Sequence, residues 1–166
     1  MPMHLEGSCR CGAIRFTVDS HTPYPYQRCY CSICRKTAGG GGYAINLMGL
    51  ARSMHVRGPI ATHVYHARIA GDGNASDAEP SPAERHFCPV CGCALWLFDA
   101  SWPDLIHPFA SAIDTALPAP PCSVHLMLRY KAPWVQPQVG PDDECFDDFP
   151  PLSIEEWHRQ HGLWIA

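Results

Sequence analysis

Apolar and polar residues alternate along two stretches of this chain. Ile14, Phe16 and Val18 share one face with Arg15 and Thr17 opposite, and Val124, Leu126, Leu128 and Tyr130 repeat the pattern. A period of two predicts half-buried β-strands. Shorter strand candidates are Tyr43–Leu47, His63–Ile69 and the apolar run Ala94–Phe98, each bounded by glycine, proline or polar residues. One helix is signalled, near the C-terminus and over roughly Ile154–His161: Ser153 is an N-cap, Glu156 its capping-box partner, Leu152 and Trp157 a hydrophobic staple, and Gly162 the stop. The segment Gly71–Glu84 holds no large apolar residue and reads as a surface loop.

Proline content strengthens the β reading. The chain has 17 prolines, ten of them between Pro103 and Pro151, and proline both lacks an N–H and clashes with the preceding helical turn. That region is expected to be loops and short strands. The aromatic residues of the tail, Trp134, Phe146, Phe149 and Trp157, are expected to pack on the chain's own core.

At 166 residues the chain matches one domain, 1–166, with its core motifs in 7–96 and C-terminal strands and helix in 97–166. A net charge of -4 argues against a charge-driven nucleic-acid binder. No apolar run approaches the ~18 residues of a membrane span, and the first residues lack the basic and apolar regions of a signal peptide. The expected location is the cytoplasm, without a membrane partner. In that reducing compartment ten cysteines point to metal binding or thiol chemistry rather than disulfides.

The cysteines are grouped. Cys9 and Cys11 precede Gly12, and Cys88 and Cys91 precede Gly92. Two tight turns of this kind bring four sulfurs to one tetrahedral zinc, with Gly92 free to take a positive φ and Pro89 fixing the entry of its turn. The middle group, Cys29, Cys31 and Cys34, offers three sulfurs in six residues. Three ligands suggest an open zinc site, where a thiol substrate is an apt fourth ligand. Arg35 and Lys36 follow at once, either to offset the thiolates or hold a substrate carboxylate, or as solvated surface charges. The run Gly39–Gly42 gives a curved or flexible backbone beside them. None of the ten histidines is singled out as catalytic: His63 and His66 point to opposite strand faces, while His107 and Asp114 are candidates to line a pocket.

The segments GSCRCGAIRF (7–16), CYCSICRKTAG (29–39) and FCPVCGCALW (87–96), together with IDTALP (113–118) and KAPW (131–134), resemble the glutathione-dependent formaldehyde-activating enzyme family, which also contains the centromere protein V domain. The resemblance implies a mainly β fold of small antiparallel sheets around zinc, a β-tent, with one short C-terminal helix. It implies a structural zinc on Cys9, Cys11, Cys88 and Cys91 and a second, labile zinc on Cys29, Cys31 and Cys34, the open site where catalysis would occur. The implied activity is that of a carbon–sulfur lyase joining a small thiol such as glutathione to a small aldehyde, formaldehyde in the founding case. Two departures stand out. Tyr30 replaces the family's usual histidine between the first two cysteines of the middle group, and Cys93 stands where a small polar residue is common. Cys93 is either a buried free thiol or a fourth ligand that closes the second site. In the closed case the chain would be a non-catalytic zinc-binding, partner-binding module; a thiol-sensing or metal-buffering protein, whose three-cysteine group loses zinc on oxidation, is a further alternative. Cys122 and Cys145 have no assigned role.

Overall fold

The structure is a computed structural model that describes residues 2–69 and 78–165. Its strands are β1 (Met3–Ser8), β2 (Arg15–Ser20), β3 (Tyr26–Cys29), β4 (Ala44–Asn46), β5 (Gly49–Leu50), β6 (His55–Arg57), β7 (His63–Arg68), β8 (Pro80–Phe87), β9 (Ala94–Phe98), β10 (Leu105–Pro108), β11 (Ser123–Leu126) and β12 (Glu144–Cys145). Two α-helices, α1 (Ser32–Thr37) and α2 (Ile154–Gln160), complete the regular elements besides short 3-10 turns.

The strands form three small sheets, ordered β1-β2-β6, β5-β10-β9-β8-β7 and β12-β11-β3-β4. The first two are antiparallel throughout. In the third, β11 runs parallel to both β3 and β12, and only β3–β4 is antiparallel. The fold is thus mainly β as expected, with one mixed sheet.

Alternation along β2 buries Phe16 and Val18, as the sequence pattern requires, and these meet Leu5, Ile14, Leu47, Leu95, Trp96 and Ile106 in the main core. Phe16 and Trp96 pack edge to face with centroids 5.1 Å apart, which ties the first sheet to the second. Gly7 permits that approach: a Cβ there would lie 2.3 Å from the Phe16 ring and 2.6 Å from the Ala112 carbonyl oxygen.

Other expectations are corrected. The alternation from Val124 to Tyr130 does not continue as a strand, because β11 stops at Leu126, Met127 turns left-handed at φ 61° and residues 128–130 form a 3-10 turn. All four β11 residues are buried, since neighbouring strands and packed side chains cover both faces. The expected loop Gly71–Glu84 overlaps β8 from Pro80 onward, and positions 71–77 of it lie outside the described residues. Pro80 and Pro82 fit because β9 pairs with β8 only from Glu84, so the missing N–H groups interrupt no inner ladder. In the tail, Trp157 is buried and Phe146 packs on the core, but Trp134 and Phe149 are 67% and 68% exposed.

Helix α2 is capped as its sequence dictates. The Ser153 hydroxyl accepts the Glu156 N–H at 3.2 Å, and the Glu156 carboxylate accepts the Ser153 N–H at 2.8 Å. Ser153→Ala should therefore cost about 1 kcal/mol of stability. A lowered urea midpoint with an unchanged slope would report it.

Candidate metal centres

Two turns of like construction carry the first and third cysteine groups. At Cys9 the N–H donates to the Ile14 carbonyl at 3.0 Å, and the Gly12 N–H donates back to the Cys9 carbonyl at 3.0 Å. At Cys88 the same pair recurs, with Cys88 N–H to the Cys93 carbonyl and Gly92 N–H to the Cys88 carbonyl, both 2.9 Å. Gly92 sits at φ +72°, the conformation expected after Cys91, and Gly12 takes the same conformation at +76°. The sulfurs of Cys9, Cys11, Cys88 and Cys91 all lie within 4.8 Å of one another. Cys9 and Cys11 sulfurs are 3.5 Å apart and those of Cys11 and Cys88 3.7 Å. A tetrahedron with ~2.3 Å metal–sulfur bonds has edges of about 3.8 Å, so this donor set fits a zinc ion.

Burial raises the Cys9 thiol, but the Ile14 N–H, 3.2 Å from its sulfur, and hydrogen bonds with Cys11 and Cys88 bring it below the ordinary thiol range. Cys91 is lowered to about 6 by the N–H groups of Cys93 and Cys11. Cys11 is pulled down by the Ala13 N–H and pushed up more strongly by the neighbouring thiols, to about 12. A cation is what lets such a set ionise together.

The second group is built differently. Cys29 ends β3, Cys31 is the N-cap of α1 and Cys34 lies inside that helix, so one strand-to-helix turn delivers all three sulfurs within 4.8 Å of one another. The Cys34 N–H donates to the Cys31 sulfur at 3.3 Å. Hydrogen bonds from Cys29 and Cys34 drive Cys31 below the ordinary thiol range, while Cys29 is driven up by Cys31, Cys34 and burial. Three thiols at this spacing fit a metal that keeps one position open.

Arg35 and Lys36 do not contact these sulfurs. The guanidinium there belongs to Arg85 of β8, a buried side chain whose two terminal nitrogens each donate to the Cys34 sulfur at 3.7 Å. Nothing local in the sequence marks Arg85, which arrives through tertiary packing. Cys93 does not join the second group either. Its sulfur accepts the Arg10 N–H at 3.3 Å beside the first group, so among the described residues the second group holds three sulfurs.

A cavity of about 700 Å³ is lined by Cys9 of the first group, by Cys93, and by the last turn of α1 with Gly39 and Gly40. Arg10, Arg35, Lys36 and Asp114 also line it. Ala38 and Ala94 belong to its lining and also pack against the buried cluster containing Cys29 and Cys34. Gly39 is required there, since a Cβ would lie 2.2 Å from the Tyr43 carbonyl oxygen. Of the pocket candidates, Asp114 lines this cavity, while His107 turns to the Leu47 carbonyl at 3.0 Å. His63 and His66 are exposed on β7, Cys122 is buried, and Cys145 is exposed on β12. No described helix is long and apolar enough to cross a membrane.

The model of the glutathione-dependent formaldehyde-activating enzyme family matches residues 4–126. A protein of Halomonas elongata named "Putative glutathione-dependent formaldehyde-activating enzyme" is 57% identical over 161 residues, 97% of this chain and 98% of that protein. A crystal structure of a Rhodobacter sphaeroides protein is 24% identical, covers 68% of this chain and 91% of its own, and superposes with a TM-score of 0.48.

Behind the second group, Asp143 is a largely buried carboxylate. Burial alone would raise it, but the N–H groups of Gly140 and Ser123 and the His125 ring hold it below its ordinary 3.8. A carboxyl depressed in the fold contributes stability above its unfolded pKa and loses it as pH falls through the folded one. Asp143→Asn should thus be less stable than the wild type at pH 7. That gap should narrow as pH drops below 3.8, measured by denaturant melts across the range.

Proposed function

Because the chain belongs to the glutathione-dependent formaldehyde-activating enzyme family, we propose that it joins a small thiol of the glutathione kind to a small aldehyde. It would do so as a zinc-dependent carbon–sulfur lyase centred on Cys29, Cys31 and Cys34. The observation that carries this reading is a three-thiol donor set, with no fourth sulfur among the described residues, set beside a cavity lined by cations. Cys9, Cys11, Cys88 and Cys91 take a structural zinc, and residues 1–166 act as one domain. Ten free thiols support the cytoplasm as its location.

Zinc supplies a positive centre that favours the thiolate form of a sulfur ligand at neutral pH. The protein's own groups account for the rest. Arg85 donates to the Cys34 sulfur and offsets charge on the cluster without occupying the open position. Arg10, Arg35 and Lys36 take the carboxylates of the incoming thiol, and Asp114 faces its amino group. Helix α1 runs from Cys31 at its N-cap to Ala38 at its C-cap, about 10 Å at ~1.5 Å per residue. An extended tripeptide reaches about as far, so carboxylates held in the cavity leave the thiol within range of the cluster. In the reaction the sulfur bonds to the aldehyde carbon, the carbonyl π pair moves to oxygen, and the thiol proton ends on that oxygen. Holding both reactants together supplies the orientation that free solution lacks.

Purified protein should carry two zincs. Cys31→Ser should lose one and stay folded, whereas Cys88→Ser should unfold, because binding at a structural site is folding free energy. Magnetisation-exchange NMR should show the wild type accelerating exchange between glutathione and formaldehyde and Cys31→Ser failing to do so. Arg35→Ala should raise KM for glutathione several-fold with kcat retained, and leave an uncharged thiol unaffected. Zinc-loaded wild type that does not accelerate the exchange would overturn the proposed activity.

A further inference from the structure

A string of three side chains leads away from the second cysteine group. Tyr30 stands between Cys29 and Cys31, and its side chain is fully buried among Tyr43, Leu128, Ala132 and Val135. Its hydroxyl lies 2.9 Å from His125 Nδ1, and His125 Nε2 lies 3.0 Å from an Asp143 carboxylate oxygen, Oδ2. His125 is also fully buried. The other Asp143 oxygen accepts the Ser123 N–H at 2.6 Å, and Oδ2 accepts the Gly140 N–H at 2.9 Å. The Tyr30 N–H donates to the Leu126 carbonyl at 3.0 Å, on the strand that carries His125.

The proton arrangement follows from the donors. Asp143 receives two backbone N–H groups and is an acceptor, so His125 Nε2 carries its ring proton. With that single ring proton on Nε2, Nδ1 is the acceptor and the Tyr30 hydroxyl donates to it. The tyrosine ring is held by this bond, by near-parallel stacking on His125 at 5.8 Å and by Tyr43 at 5.2 Å. Any turn of the backbone at Tyr30 displaces the two sulfurs on either side of it. Packing alone would be served by a phenyl ring, whereas a buried hydroxyl is costly unless bonded.

We propose that Tyr30, His125 and Asp143 are a positioning string that fixes the Cys29–Cys31 segment in ligating geometry and so sets how tightly the second cluster holds its metal. The inference rests on the reading of that cluster as a metal centre. The residues touch no substrate. They act through the cysteines, as hydrogen-bonded outer partners do at metal sites, where their loss typically weakens binding about 10–100-fold. Tyr30→Phe removes one oxygen and keeps the ring. Asp143→Asn keeps the shape but presents an amide donor to Nε2, which puts the ring proton on Nδ1 and removes the acceptor for the Tyr30 hydroxyl proton, so the bond can persist only reversed.

The test uses the full chain loaded with zinc or cobalt(II), with metal removal followed by a chromophoric chelator and His125 protonation by long-range ¹H–¹⁵N NMR. Tyr30→Phe and Asp143→Asn should each weaken the second metal about tenfold and shift the cobalt(II) visible spectrum, with the first metal held within twofold of wild type. In the wild type His125 should be protonated on Nε2. The proposal is overturned if Tyr30→Phe keeps the second metal within twofold, if it loosens both metals alike, or if the wild-type ring carries its proton on Nδ1. A wild type that binds one metal only overturns the metal-centre reading and this inference with it. That result is distinguishable, because the unmutated protein then has no second metal to release.

Discussion

Four sulfurs drawn from chain positions 77 residues apart converge on one point, and the rest of the molecule is arranged around that convergence. Gathering them is unfavourable unless something compensates. Two unit negative charges 4 Å apart repel by about 4 kcal/mol at an effective dielectric of 20, and the turns aim N–H groups that favour thiolate at Cys9 and Cys91. A cation shared by both turns would supply that compensation, and the four-sulfur donor set fits one. The Cys9 turn feeds directly into β2 of the first sheet, and the Cys88 turn joins β8 to β9 of the second. Joining the turns therefore fixes the two sheets against each other, with Phe16 and Trp96 locked between them. It also bears on the cavity, since Cys9 and Cys93 belong to its lining.

The second sulfur group depends on the first only indirectly. Its three cysteines come from a single strand-to-helix turn, so their spacing is local, but their electrostatic setting is assembled from afar. Arg85 lies on β8, two residues from Phe87 and the Cys88 turn. A buried guanidinium is tolerated only when paired, and its partner here is the Cys34 sulfur. Strand β3, which ends in Cys29, is held from the other side by β11, the strand that presents His125 to Tyr30. The local turn thus sits between a charge from one sheet and a hydrogen-bonded string from another.

What could be read from the sequence was whatever is written in short spacing. The two cysteine turns, their glycines and the capping box of α2 are each complete within five residues, and each is found where its spacing places it. Helix α1 was hidden because six residues are too few to show a period and its N-cap is a cysteine rather than serine or aspartate. Arg35 and Lys36 were natural suspects by proximity, but they fall in the last turn of that helix, beside the cavity rather than the sulfurs. Arg85 carries no local signal, lying 51 residues from the cysteine it contacts. The alternation past Leu126 misled because one left-handed residue, Met127, ends the strand while the apolar spacing runs on.

The two sulfur groups also divide their chemistry against simple exposure. The complete group has two surface cysteines, Cys11 and Cys91, whereas the incomplete one buries Cys29 and Cys34. Access to water therefore does not mark the open centre. Charge does. On the proposed reading, three thiolates, a divalent cation and the Arg85 guanidinium cancel, so the buried centre is neutral before a substrate arrives. A thiol that enters as its thiolate leaves one uncompensated negative charge beside the protein interior, along with the charges of its own carboxylates. The nearest places to offset them are Arg10, Arg35 and Lys36 around the cavity. A thiol without carboxylates would bring the first charge and fail to engage those cations. On that proposed reading, a centre left open in this layout would favour thiols that carry negative charge at a distance from the sulfur.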